Sequence, residues 1–359
     1  MRILFDPEPP VIRWCRETAD GRQMGQCALG VGLFKAVRKR AVPLDQAASI
    51  SYRLHHGGEL IRQPVTLLTP DVLQMVRDSV GLLPEHNELT YQIIRHMQRL
   101  APRVPHILLC DTAFFIDMPS VSSTYAIPGR FRGRGARRYG GCGLLHQWAW
   151  QKTQELGGRD IRKMISIQLG DHTNVTALKD GHPVDTTMGF TPVEGIPSHT
   201  SCGDIDVSVV FELQSSGLAL SEINEMLSAR SGWRGLAGKR CGFRDLLVEN
   251  GNADKAMARR ILLYDIVKYI GAFTAILGGV DAVAFIAEDP EACALFISSI
   301  CRELAVLGLR LPPVKSESGD GVTVFNRHSR VMTVVLKDDL WRIMSCRAAA
   351  VEKEDQHGH

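Results

Sequence analysis

Short apolar runs alternate with helix-like stretches along most of the chain, and that alternation admits few folds. His106–Cys110 (HILLC) reads as a buried strand ending at Asp111. It follows Asn87–Leu100, whose apolar residues recur at helical spacing and stop before Pro102 and Pro105. Ala253–Leu277 reads as a long helix, Val280–Ala287 as a strand, and Pro290–Leu307 as a helix closed by Gly308. Val331–Leu336 is again strand-like, and Asp338–Ala350 helical. Met164–Leu169 and Val175–Leu178 alternate like strands, with Asp180-Gly181 as a hairpin turn. Strands alternating with helices predict an α/β fold with mixed sheets.

Further readings are local. Met1–Phe5 predicts a short strand broken by Pro7, Pro9 and Pro10. Asp71–Val80, Trp148–Leu156, Val207–Leu218 and Ser221–Ala229 predict helices, the last with a weak Ser221-x-x-Asn224 capping pattern. Tyr125–Gly143, rich in Gly and Arg, predicts a loop.

At 359 residues the chain suits two domains. A net charge of +3 is too small to point to nucleic acid. The RGG-like RFRGRGARRYGG, with one aromatic before Tyr139, adds little. The longest apolar stretch, Gly271–Ala287, contains Asp281 and three glycines and is shorter than a membrane span requires. MRILFDPEPP lacks the apolar core of a secretory signal, and the nine cysteines form no C-x-x-C pair. Reduced thiols in the cytoplasm are the expectation.

Several motifs occur in the order found in one known family. They are RLHHGGE (Arg53–Glu59), LCDTAFFIDMP (Leu109–Pro119), RRYGGCGLLH (Arg137–His146), VDTTMGFTPVEG (Val184–Gly195), CGDIDVSVV and KYIGAF (Lys268–Phe273). Together they resemble the acetate/propionate kinase (acetokinase) family over about residues 50 to 345. The resemblance implies the duplicated actin/sugar-kinase/Hsp70-type, ribonuclease H-like α/β fold, with ATP in a central cleft. It places an N-terminal domain at 1–111, trimmed at its start and completed by about 338–359, and a C-terminal domain at 112–337. It implies a homodimer, Mg2+ and ATP, and reversible phosphorylation of a small carboxylate to an acyl phosphate.

Phosphoryl transfer calls for cations, a metal and backbone N–H groups arranged around the moving charge. By resemblance, Arg53 neutralises that charge, His86 hydrogen-bonds the phosphoryl oxygens and Asp111 organises Mg2+. Asp338 and Asp339 match further metal-side carboxylates, although acids opening a helix at its positive end are the plainer reading. Gly170, Asp171 and Arg244 match nucleotide and phosphate positions. His55, Glu85, Gly141 and Pro192 match the acyl pocket; its polar residues suit a substrate larger or more polar than acetate.

The departures weigh against ordinary acetate kinase activity. FDPEPPVIRW stands where the family has a glycine-containing phosphate turn, and its prolines and acids make a poor phosphate nest. Asp171 adds negative charge within QLGDH, and AEDPEAC (Ala287–Cys293) is acidic without glycine. Cys142 replaces a histidine and Ser201 the second catalytic arginine. Losing one such contact costs roughly 10²–10³ in rate. A non-catalytic binding or scaffold protein is therefore the alternative. Cys142 with His146 offers a thiol–imidazole pair, with a buried structural cysteine as the plainer reading.

Overall fold

A computed structural model describes residues 1–27, 44, 47–157, 160–238, 241–248, 251–310, 322–326 and 329–357. The chain divides into two compact units. Unit 1 comprises Met1–Ile116, Gly141–Leu144 and Asp339–His359; unit 2 comprises Asp117–Gly140 and Leu145–Asp338.

Unit 1 is built on strands β1 (Arg2–Glu8), β2 (Val11–Thr18), β3 (Gly21–Cys27), β4 (Ser49–Leu54), β5 (Val65–Leu67) and β6 (His106–Cys110). Their order is β3-β2-β1-β4-β6-β5. β1, β2 and β3 form an antiparallel meander. β4 runs parallel to β1 and β6 parallel to β4, and β5 closes the edge antiparallel. Helices α1 (Pro70–Asp78) and α2 (Pro84–Leu100) follow β5. Along α2, Asn87, Thr90, Ile94 and Met97 are buried at three- and four-residue spacing. Ile93, Ile94 and Met97 share a core with Phe5, Ile50, Tyr52, Leu54 and Leu108 from the strands.

Unit 2 repeats this plan. Its strands are β7 (Lys163–Leu169), β8 (Asn174–Lys179), β9 (His182–Thr186), β10 (Ala282–Ala287), β11 (Val322–Asn326) and β12 (Met332–Lys337), in the order β11-β12-β10-β7-β8-β9. Again an antiparallel meander, β7-β8-β9, is followed by two parallel partners, β10 and β12, and an antiparallel edge, β11. The two sheets have the same topology, which defines a duplicated α/β fold of the ribonuclease H-like type. Between the meander and β10 runs helix α3 (Ala253–Leu277); helix α4 (Pro290–Glu303) follows β10. On α3, Ala258, Leu262, Ile266, Ile270, Phe273 and Leu277 form one buried stripe that packs with Phe296, Ile297 and Ile300 of α4. The helix ends at Gly278, which takes the left-handed conformation glycine adopts cheaply. No helix among the described residues is long and apolar enough to cross a membrane.

Some local readings need correction. β1 does not stop at Phe5 but continues through Pro7 to Glu8 and turns at Pro9-Pro10 into β2. Pro7 is tolerated because pairing with β4 ends at Phe5–Tyr52, so no neighbour on that side awaits its missing N–H. Ser221 does not cap its helix, which spans Leu220–Ala229; Glu222 reaches back to the Ala219 N–H instead. The Tyr125–Gly143 stretch contains a short helix, Gly129–Arg132, and a bridge between Thr124 and Arg137. The Asp180-Gly181 turn forms as expected, both residues having positive φ.

Candidate active site

The richest cluster of charge in unit 1 lies at the carboxyl ends of its parallel strands, where open α/β sheets commonly bind ligands. Side chains two residues apart on a strand share a face. Asp6 and Glu8 of β1 therefore lie on one face, beside Arg53 and His55 at the end of β4. Asp111 follows β6, the next parallel strand.

Arg53 is 5% exposed and is surrounded by acids. Its Nε donates to Asp111 Oδ2 at 2.8 Å, and Nη2 lies 2.7 Å from the same oxygen. Its Nη1 donates to Asp6 Oδ1 at 3.2 Å and to Glu8 Oε1 at 3.4 Å. Arg13, from β2, also pairs with Asp6 and lies 3.6 Å from Glu8. Burial alone would make Arg53 easier to deprotonate, but the facing carboxylates of Asp111, Asp6 and Glu8 dominate and hold its charge more firmly than usual.

Two imidazoles complete the cluster. His55 Nε2 lies 3.2 Å from Glu8 Oε1, and His86 Nε2 lies 3.7 Å from Glu8 Oε2. The rings are 4.6 Å apart, centroid to centroid. Burial pulls Glu8 upward, but hydrogen bonds and charge from His55, His86 and Arg53 outweigh it and hold the carboxyl well below its ordinary range. His86 is pushed the other way from a free histidine: burial, with the charges of His55 and Arg53, disfavours its protonation despite Glu8.

The scaffold around these groups is tightly specified. Asn87 donates its side-chain N–H groups to the carbonyls of His56 and Ser79, bolting the loop after β4 to α2. Asp111 Oδ1 accepts the backbone N–H of Leu144 at 3.1 Å. A Cβ at Gly143 would lie 2.1 Å from the Asp111 carbonyl oxygen, so only glycine allows this approach. Cys142, just before it, has φ 55°, and its electrostatic interaction reaches Arg53. Gly141 is buried beside it.

Unit 1 thus gathers Arg53, Asp111, His55 and His86, whereas Glu85 is exposed in the first turn of α2. Asp339 accepts the Arg342 N–H at the start of the C-terminal helix (Leu340–His357) and both pairs with and is hydrogen-bonded by Arg22. It therefore acts as a cap and ion-pair partner here. Asp338, in unit 2, donates its N–H to the Ala287 carbonyl.

Unit 2 places the other positions. Asp171 is exposed beside Gly170; its side chain accepts the Phe243 N–H at 2.8 Å, capping the short helix Phe243–Leu247. Arg244 on that helix is mostly exposed and lies 3.3 Å from Asp289. Ser201 is buried, 2.6 Å from Ser198 Oγ, and donates to the Pro192 carbonyl. His146 has both ring nitrogens engaged, by Ser166 and Asn174 at 2.8 and 2.9 Å, which leaves neither as a base for Cys142.

The sequence reading missed Asp6, Glu8 and Arg13 as site residues. It registered the two acids only as charges that would repel phosphate. Their spacing of two and the alternation of buried Ile12 and Trp14 with exposed Arg13 were the available signal for a hairpin.

Asp111 is the carboxylate that would hold Mg2+. Its Oδ1 accepts one hydrogen bond and so keeps a lone pair, and Mg2+ is commonly bound through one or two carboxylates plus substrate phosphates. The engaged oxygens of Asp339 fit that role less well.

Comparison with known proteins gives the family and the fold. The acetokinase family profile matches residues 25–343. The acetate kinase of Dictyoglomus thermophilum is 34% identical over 300 residues, covering 82% of this chain and 75% of the relative. That of Bacteroides fragilis is 34% identical over 303 residues, covering 82% and 76%. The fold is also that of a propionate kinase from Francisella tularensis (TM-score 0.83, 22% identity, 96% of this chain and 98% of the other). An acetate kinase from Entamoeba histolytica superimposes with a TM-score of 0.84 at 19% identity, covering 98% and 99%. The chain belongs to the acetokinase family. Asp6, Glu8 and Arg13 precede the matched residues.

Proposed function

We propose that this protein transfers the terminal phosphoryl group of ATP to a small carboxylate, and runs the reaction in reverse. The observation that carries this reading is the buried Arg53–Asp111 pair, fixed through two guanidinium nitrogens inside two family motifs. Arg53 would orient and neutralise the carboxylate and the phosphoryl oxygens. Asp111 would face Mg2+, which supplies charge neutralisation on the nucleotide phosphates. His86 would donate to a phosphoryl oxygen, and Gly170 and Arg244 would border the nucleotide. His55, a polar group where a small apolar pocket would suit a methyl, favours a carboxylate more polar than acetate. Division of labour between domains bounded near residues 111 and 338, and a homodimer, belong to the same reading. Hydroxamate trapping of acyl phosphate across a carboxylate panel tests it. Turnover with at least one acid, lost in Arg53→Ala, is expected; turnover with acetate alone would overturn the polar-substrate preference.

One observation favours a second reading, a protein that binds without turning over. Asp6 and Glu8 already occupy the guanidinium that phosphotransfer would need. Calorimetry with Mg-ATP and Mg-ADP separates the two: no binding at millimolar nucleotide would sink the kinase reading.

A further inference from the structure

We propose that Glu8, His55 and His86 form a binding site for a divalent transition-metal ion of the zinc type. This goes beyond the phosphotransfer reading and rests on the geometry of unit 1 alone.

Three donors converge there, one carboxylate oxygen and two imidazole nitrogens, all within 4.8 Å of one another. Ligands about 2.0–2.2 Å from a tetrahedral ion sit roughly 3.3–3.6 Å apart. The histidine–glutamate separations are close to that range, 3.2 Å from His55 Nε2 to Oε1 and 3.7 Å from His86 Nε2 to Oε2, with one imidazole facing each carboxylate oxygen. Two nitrogens and one oxygen suit Zn2+, Co2+ or a related ion, whereas Mg2+ and Ca2+ prefer all-oxygen shells. Three protein ligands leave a fourth position for water or an anion, the pattern of reactive rather than structural zinc sites.

The surrounding charge points the same way. With both imidazoles neutral, the cluster holds three carboxylates (Asp6, Glu8, Asp111) against two guanidiniums (Arg13, Arg53), an excess of one negative charge. A divalent cation turns that excess into one positive charge, at the place where the acidic hairpin β1–β2 otherwise repels anions. The Nδ1 atoms of His55 and His86 are buried with no hydrogen-bond partner among the described residues, so no other protein acceptor dictates how these rings turn. The ordinary competitor is a His55–Glu8 hydrogen bond with His86 beside the same carboxylate and no ion. Arg13 and Arg53, each within 3.6 Å of Glu8, are the groups that favour it.

The test uses the full chain carrying His357→Gln and His359→Gln, because these terminal imidazoles offer a competing site. The protein is stripped with chelator and dialysed against Zn2+ with excess Mg2+, with no nucleotide or carboxylate present. Retained metal is counted by mass spectrometry, and Co2+ substitution is followed by visible absorption. About one ion per chain is expected. His55→Ala and His86→Ala should each weaken binding at least tenfold, since losing even an outer partner of a metal site costs 10–100-fold. Far-UV circular dichroism confirms that the variants fold, and Zn2+ should raise the melting temperature of the parent but not of His86→Ala. No retained ion, or equal retention in both variants, overturns the proposal. Because nothing in this assay turns over, its failure would leave the phosphotransfer reading intact, and an inactive protein could still bind the ion.

Discussion

Replacing Arg53 by methionine tests whether the buried network is as dry as its geometry implies. The substitution keeps most of the volume and removes the charge. Asp6 and Asp111 are 0% and 1% exposed, so neither carboxylate can turn to solvent in place. Removing one partner of a buried ion network typically costs about 3–5 kcal/mol, because an uncompensated buried charge remains. At about 2–4 °C per kcal/mol for a domain of this size, Arg53→Met should melt roughly 6–20 °C below the wild type. Calorimetry and far-UV circular dichroism at pH 7.5 read the shift, and hydrogen exchange of β1, β4 and β6 confirms that unit 1 is the part that loosens. Adding Asp111→Asn should recover much of the loss, because Asp6 keeps Arg13 as its partner and Asp111 is the buried carboxylate left without one. The amide oxygen introduced by Asp111→Asn still accepts the Leu144 N–H. A melting temperature within about 3 °C of wild type for Arg53→Met alone would show that water already reaches the carboxylates.

Three further outcomes follow from named contacts. Asp171→Ala removes the cap on the Phe243 N–H and should cost about 1 kcal/mol. Nucleotide affinity measured alongside should stay within about twofold if Asp171 is only a cap; a larger loss would make it a nucleotide contact. Burial pushes the thiols of Cys110 and Cys293 up to about 11 and that of Cys301 up to about 12, while Cys346 is exposed. Brief iodoacetamide treatment at pH 8 should therefore label Cys346 before these three, as read by peptide mass; early labelling of Cys110 would contradict its burial. Burial raises the carboxyls of Glu17 and Glu352, but Ser345 and Arg22 on the first, and Arg2 and Ser49 on the second, hold both below the ordinary value. Their contribution is fully present above the unfolded value of about 4.3 and is lost as pH falls through the lower folded values. The C-terminal helix, tied to β1 and β2 by these groups, should lose exchange protection as pH falls below about 4.3; unchanged protection there would refute the assignment.

What the sequence made legible follows from the range of each signal. Helix α3 was readable to its last residue because a four-residue apolar stripe and a glycine stop are local facts. The Asp180-Gly181 turn was readable because few residues take positive φ. The motifs carrying Arg53 and Asp111 were readable as family words. Their mutual contact was not, since it joins residues 58 apart through the pairing of β4 with β6. Roles assigned by resemblance fared unevenly for a similar reason. Asp339 and Asp171 are acids whose oxygens meet backbone N–H groups at helix starts, a use that a motif shares with metal binding and cannot distinguish from it.

The hairpin β1–β2 illustrates why an altered motif is more than a lost one. Read as a failed phosphate turn, FDPEPP supplies only repulsion. Once β1 is seen to run parallel to β4, the same two acids fall on the face that carries Arg53 and His55. One of them, Asp6, is fully buried and shared by Arg53 and Arg13; Glu8 is only partly covered and gathers both imidazoles. The substitution thus exchanges backbone donors that would greet an anion for carboxylates that hold cations. Whatever anion this site accepts must either displace Glu8 from Arg53 or arrive with a cation of its own. Nucleotide with Mg2+ meets the second condition, and an ion held by Glu8, His55 and His86 would meet it before the nucleotide arrives.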